Sequence, residues 1–232
     1  YLGAFWLGFN LEQPPFEGKA ALREALSLAI DRDILTRHVT GLGETPAFGL
    51  VPPGVADYTP ASLGWGRATQ AQREALAQRR YREAGYGPDK PLDVDILYNT
   101  HESHKKIALA ISSMWKHNLG VSAKLNNMEW KTMVSALNEG DFTVSRYSWN
   151  GDYNDASTFL DIMTSSSSAN SGKWFNKQYD ALLAKAHDSK DPAERNQLYQ
   201  QAEALIDDEA PIAPVYFYVK SRLLKPNIKG YP

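Results

Sequence analysis

The feature that most limits how this chain can fold is a switch of hydrophobic period, repeated between residues 92 and 149. Leu92, Val94, Ile96 and Tyr98 alternate with Asp93, Asp95 and Leu97, the two-residue period of a strand. Over 100–118, Ile107, Ile111, Met114 and Trp115 recur at helical spacing. Val121, Ala123 and Leu125 return to strand period. Trp130, Met133, Val134 and Leu137 stripe a second helix that Gly140 ends, and 142–149 read as a third strand. Strand–helix–strand–helix–strand predicts an α/β layer with crossover helices.

The flanks add elements to this centre. Residues 3–10 form an aromatic, apolar strand closed by Gln13-Pro14-Pro15, since proline cannot donate to a ladder. Leu22, Ala25, Leu26, Ala29 and Ile30 lie on one helix face, and Asp31 starts a second short helix carrying Ile34, Leu35 and Val39 that ends at Gly41. Residues 41–64 read as a long ordered loop, and 70–84 as a polar helix. After residue 150, a serine-rich loop spans 165–172. Tyr179, Leu182, Leu183 and Ala186 stripe one helix, and Leu198, Ala202, Leu205 and Ile206 stripe the next. Asp191-Pro192-Ala193-Glu194 is a helix start with an N-cap acid, proline at the first position and glutamate at the third. Residues 214–219 and 222–224 read as strands.

Composition excludes several classes. Twenty-five basic against 27 acidic residues give a net charge of −2, so the chain lacks the broad basic surface of a general nucleic-acid binder. No apolar run reaches the roughly 20 residues of a bilayer span. With no cysteine, disulfides and thiolate metal sites are impossible. The start Tyr1-Leu2-Gly3 has neither an initiator Met nor a basic leader, which suggests a mature fragment or an excised domain.

The common catalytic signatures are absent, and Gly41-Leu42-Gly43 follows a helix rather than a strand, unlike a dinucleotide fingerprint. His101 and His104, with Glu102 between them, read either as a metal-binding pair or as a polar helix start with exposed imidazoles. The strand ends at 98–99 and 146–149 offer a richer corner, because open α/β sheets bind ligands outside the carboxyl ends of their strands. Arg146 shares a strand face with Phe142 and Val144, so it needs an anion, from an internal salt bridge or from a ligand. Trp149 reads as core or as a stacking platform, Asp152 as a turn residue or a charge partner, and Asp155 as a helix cap. Together they pair an anion-seeking corner with a cation-seeking carboxylate, an arrangement suited to a zwitterion such as a peptide.

Several motifs carry a family resemblance in order along nearly the whole chain. They are Ala29-Ile30-Asp31-Arg32-Asp33, Pro46-Ala47-Phe48-Gly49 with Pro52-Pro53, Glu83-Ala84-Gly85-Tyr86 and Leu97-Tyr98-Asn99-Thr100. Further on come His104-Lys105-Lys106, Glu129-Trp130-Lys131-Thr132, Trp149-x-x-Asp152-Tyr153-Asn154 and Pro214-Val215-Tyr216-Phe217-Tyr218-Val219. The sequence resembles the oligopeptide-binding proteins of ABC importers, the family 5 extracellular solute-binding proteins. The resemblance implies an α/β fold with a mixed sheet and flanking helices, residues 1–232 forming the carboxy-terminal lobe of a two-lobed periplasmic binding protein whose other lobe is missing. It implies a non-enzymatic, cofactor-free, monomeric protein of the periplasm, or lipid-anchored at the extracellular face in a Gram-positive source. Its partners would be short peptides and the permease subunits of an ABC transporter. Asp152 would pair with the peptide ammonium, Ser148 and Asn150 flanking Trp149 would extend the ligand as a strand, and His104 and Arg146 would meet its carboxylate. A lysine that serves shorter peptides in some members falls at Thr40, and Asn150 replaces a small residue. A binder of cell-wall or signalling peptides on the same scaffold, and a metal-dependent hydrolase using His101, Glu102 and His104, are the alternatives.

Overall fold

A computed structural model describes residues 2–60, 65–220, 223–225 and 227–230. In chain order the elements are β1 (Gly3–Phe9), α1 (Ala20–Leu28), α2 (Arg32–Ile34) running into a π-helical turn (Leu35–Thr40), β2 (Thr45–Pro46) and α3 (Gln70–Glu83). The central unit is β3 (Asp93–Asn99), α4 (Glu102–Leu119), β4 (Ser122–Met128), α5 (Trp130–Glu139) and β5 (Val144–Asn150). There follow α6 (Ser157–Leu160) with a 3-10 turn (Asp161–Met163), α7 (Lys177–Asp188), α8 (Pro192–Glu209) and β6 (Ile212–Phe217).

The six strands form one mixed sheet in the order β2-β6-β1-β5-β3-β4. The period switch over 92–149 becomes two parallel crossovers, since β3 runs parallel to both β4 and β5. β1 is antiparallel to its neighbours β5 and β6. Alternation along the strands sorts the side chains into two faces. Phe5, Leu7, Phe9, Ile96 and Val144 bury against α1, α3 and α4, while Ala4 and Trp6 bury against the C-terminal helices. Leu97 buries with Met133 and Leu137 of α5.

Helix boundaries follow their caps. Asp31 accepts from the Ile34 amide and Asp191 from that of Ala193, with Pro192 in the first turn. Thr69 and Gln72 form a reciprocal capping box at α3. Gly120 ends α4 at a φ of 74°, left-handed geometry that costs glycine nothing.

Three expectations change. Phe142 does not share a face with Arg146: β5 starts only at Val144, and Phe142 buries with Leu97 and Met133 on the α5 side. Trp130 is the first residue of α5, and at 51% exposure it stands outside the buried stripe, which begins at Met133. Leu223 and Leu224 are exposed and belong to no strand, and Arg222 lies outside the described residues.

The expected loop 41–64 carries the short strand β2, and its residues 61–64 lie outside the described ones; the described part, 41–60, is held by two buried charged groups. Glu203 of α8 accepts from the amides of Leu50 and Val51 and from the Tyr58 hydroxyl. Arg32, fully buried, donates to the carbonyls of Ala47 and Pro214 at 2.8 Å each, to those of Ser27 and Ile30, and to Ser27 Oγ. Burial pulls the Arg32 guanidinium down to about 9, so it remains charged at neutral pH. Pro214 lacks a ladder N–H and sits in β6 where the register with β1 shifts, so its carbonyl is free to serve Arg32.

Candidate functional site

Parallel pairing brings the carboxyl ends of β3 and β5 to one rim of the sheet, beside the first turn of α4. His101 caps that helix, its Nδ1 accepting from the Ser103 amide. One turn along, His104 meets Arg146 of β5, with Nη2 and Nε2 3.0 Å apart. Phe5 of β1 lies beneath both, its ring 5.5 Å from the guanidinium and 6.0 Å from the imidazole. The two residues are 42 apart in sequence, and the crossover brings them into direct contact.

Arg146 is half-buried and its Nε is buried without a hydrogen-bond partner. It enters no ion pair among the described residues. Burial lowers the Arg146 pKa, while Tyr218 and Tyr216 oppose the shift. The His104 imidazole is pushed down to about 4, first by burial and then by the charge of Arg146. The corner is therefore one desolvated cation held by a neutral acceptor.

Along β5 the main chain is the second component. Asn10 donates to the Thr143 carbonyl, and Gly151 to that of Leu2. Hydrogen-bonded pairs recur at every second residue of an antiparallel ladder, so Ser145, Tyr147 and Trp149 turn their main-chain groups to β1. Arg146, Ser148 and Asn150 turn theirs the other way. On that side β3 accompanies β5 only over Val144 and Ser145. Beyond them, the main chain of Ser148 and Asn150 faces an edge that no described strand occupies.

Asp152 lies just past this edge. Its amide donates to Thr158 Oγ1 at 3.0 Å, and its exposed carboxylate has no hydrogen bond or ion pair among the described residues. Gly151 precedes it because a Cβ there would lie 3.2 Å from Phe159 and Thr158, so α6 closes against the turn. Trp149 is half-buried against the C-terminal core, with its indole Nε1 buried and unpartnered. Asp155, by contrast, is structural: it accepts from the amide and hydroxyl of Ser157 and from the Tyr199 hydroxyl. Thr40 donates to Glu44 within its own loop at 2.9 Å. No three metal-ligating groups converge among the described residues. Trp130, half-exposed next to the carboxyl end of β4, joins the same rim, and its exposure was not evident from helical spacing.

The sequence model of the bacterial extracellular solute-binding proteins, family 5 (middle region), matches residues 1–171. The chain belongs to this family. Family 5 is made of solute-binding proteins, not enzymes. Over 231 residues, all of this chain and 43% of the relative, it is 45% identical to the periplasmic murein peptide-binding protein MppA of Escherichia coli K12. It is 42% identical to the probable deoxycholate-binding periplasmic protein YgiS and 41% identical to the periplasmic oligopeptide-binding protein OppA, both of that strain. Those matches cover all of this chain and 43% and 42% of the relatives. The unliganded open form of MppA superimposes at a TM-score of 0.94, covering 99% of this chain and 44% of that one. This family 5 chain thus spans less than half the length of the relatives it matches.

Proposed function

We propose that this chain is one lobe of a two-lobed peptide-binding protein that supplies an ABC importer. The observation that carries the reading is the open edge of β5, with the unpaired Arg146–His104 corner at one end and the unpaired Asp152 carboxylate just beyond the other. An extended peptide would add as a strand along Ser148 and Asn150, so affinity comes from main-chain hydrogen bonds and tolerates many side chains. Asp152 would take the ammonium and Arg146 the carboxylate. Six residues separate them, at most about 20 Å of extended chain, which suits a guest of roughly four or five residues. Trp149 and Trp130 would offer aromatic surface to its side chains. A second lobe would cover the peptide by hinge closure. The closed monomer, periplasmic and free of cofactor, would deliver it to the membrane permease.

Calorimetry on the protein at its full natural length tests this. A free tetrapeptide is expected to bind, and Asp152→Ala to cost on the order of tenfold or more, as does loss of one partner of an enclosed charge pair. Unchanged affinity would remove Asp152 from the site. This chain alone offers one wall only, so weak or undetectable binding is expected of it, and a submicromolar complex would contradict the two-lobed arrangement. The 45% identity to a murein peptide-binding protein favours cell-wall peptides as a second reading. Competition between murein tripeptide and ordinary oligopeptides separates the two.

A further inference from the structure

Arg146 Nη2 and His104 Nε2 stand 3.0 Å apart. A guanidinium only donates, so Nε2 must accept, which fixes the imidazole as neutral with its proton on Nδ1. From the proposed peptide site we infer more: the free corner carries one positive charge, and a ligand carboxylate arriving at Arg146 brings a second, as a proton taken from solvent by His104.

The surroundings support this. The groups facing His104 are Arg146 from β5, His101 from its own helix and the Asn99 backbone at the end of β3, with Phe5 of β1 packed against the ring. Tyr216 of β6 and the following Tyr218 stand near Arg146, and burial pushes the Tyr216 phenol far up, so it stays neutral. No ion pair among the described residues brings a carboxylate to either side chain. Burial, then the Arg146 charge and then His101 hold His104 down to about 4, against a hydrogen bond with the Asn99 backbone. A ligand carboxylate would offset the second and add an attraction of its own, favouring imidazolium. Nε2 would then have to give up its role as acceptor, turning both side chains into donors toward the carboxylate.

Peptide binding is tested by calorimetry on the full-length protein at pH 6, in buffers of differing ionisation enthalpy. The expected result is uptake of a fraction of one proton, with affinity rising several-fold from pH 7 to pH 5. If bound His104 regained its ordinary value of 6.5, the rise would reach about twentyfold. A C-terminally amidated peptide is expected to bind without proton uptake. His104→Gln, which keeps an acceptor for Arg146, is expected to lose both the uptake and the gain at low pH. Binding without proton exchange, or the same uptake in His104→Gln, overturns the coupling while leaving peptide binding in place. Failure of every peptide to bind at any pH overturns both.

Discussion

Arg32 and Arg146 are both drawn out of water, and their surroundings differ in kind. Arg32 donates from all three guanidinium nitrogens, to four carbonyls and a hydroxyl, so its charge holds α1, the 41–60 segment and β6 together. Arg146 keeps a buried Nε with no partner. A buried charge satisfied from within is structural, whereas an unsatisfied one costs stability and is retained for something else. Arg32→Met is therefore expected to destabilise the fold by about 3 kcal/mol or more, because it strands several buried carbonyls. Arg146→Met should leave the urea midpoint unchanged or raise it, while removing the preference for a free peptide carboxylate. Equal losses of stability in the two variants would make Arg146 structural as well.

Among the elements, the C-terminal helices and β5 make separate claims. Asp191 caps α8 through the Ala193 amide and takes no part in the contacts proposed for the peptide, so Asp191→Ala should lower unfolding free energy by about 1 kcal/mol with unchanged peptide affinity, read by urea denaturation and calorimetry. For β5, strand addition demands a two-residue period in the ligand. N-methylation of a guest amide that faces Ser148 or Asn150 should cost about 1 kcal/mol of binding, and methylation of the neighbouring amides much less. Equal sensitivity at every position, measured by competition, would argue against an added strand.

For the whole molecule, pH reports how the corner is built. His104 is held down to about 4 in the fold and takes up its proton near 6.5 when unfolded. Between those values the unfolded state binds more protons, so this group's contribution falls as pH drops from about 6.5 to about 4. Asp207, raised to about 6 by burial, works in the opposite sense. The difference between the wild type and His104→Gln in thermal melts isolates the His104 contribution, and it should stop changing with pH above pH 7 and shrink as pH falls below about 6.5. What the chain's order of residues determined alone is the local pattern. Period two and period 3.6, the caps at Asp31 and Asp191 and the stops at Gly41 and Gly140 name the elements, because these signals act within a few residues. The motif around Arg32 carried the family but not its own role, since the two acceptors that tie it to other elements lie 15 and 182 residues away. The faces of Phe142 and Trp130 could not be read either, because periodicity locates a stripe but not where an element begins. Only the tertiary fold decided the site. Packing of the crossovers set His104 against Arg146, and the early parting of β3 from β5 left an edge free. Both depend on contacts between segments more than 40 residues apart, which no local preference encodes.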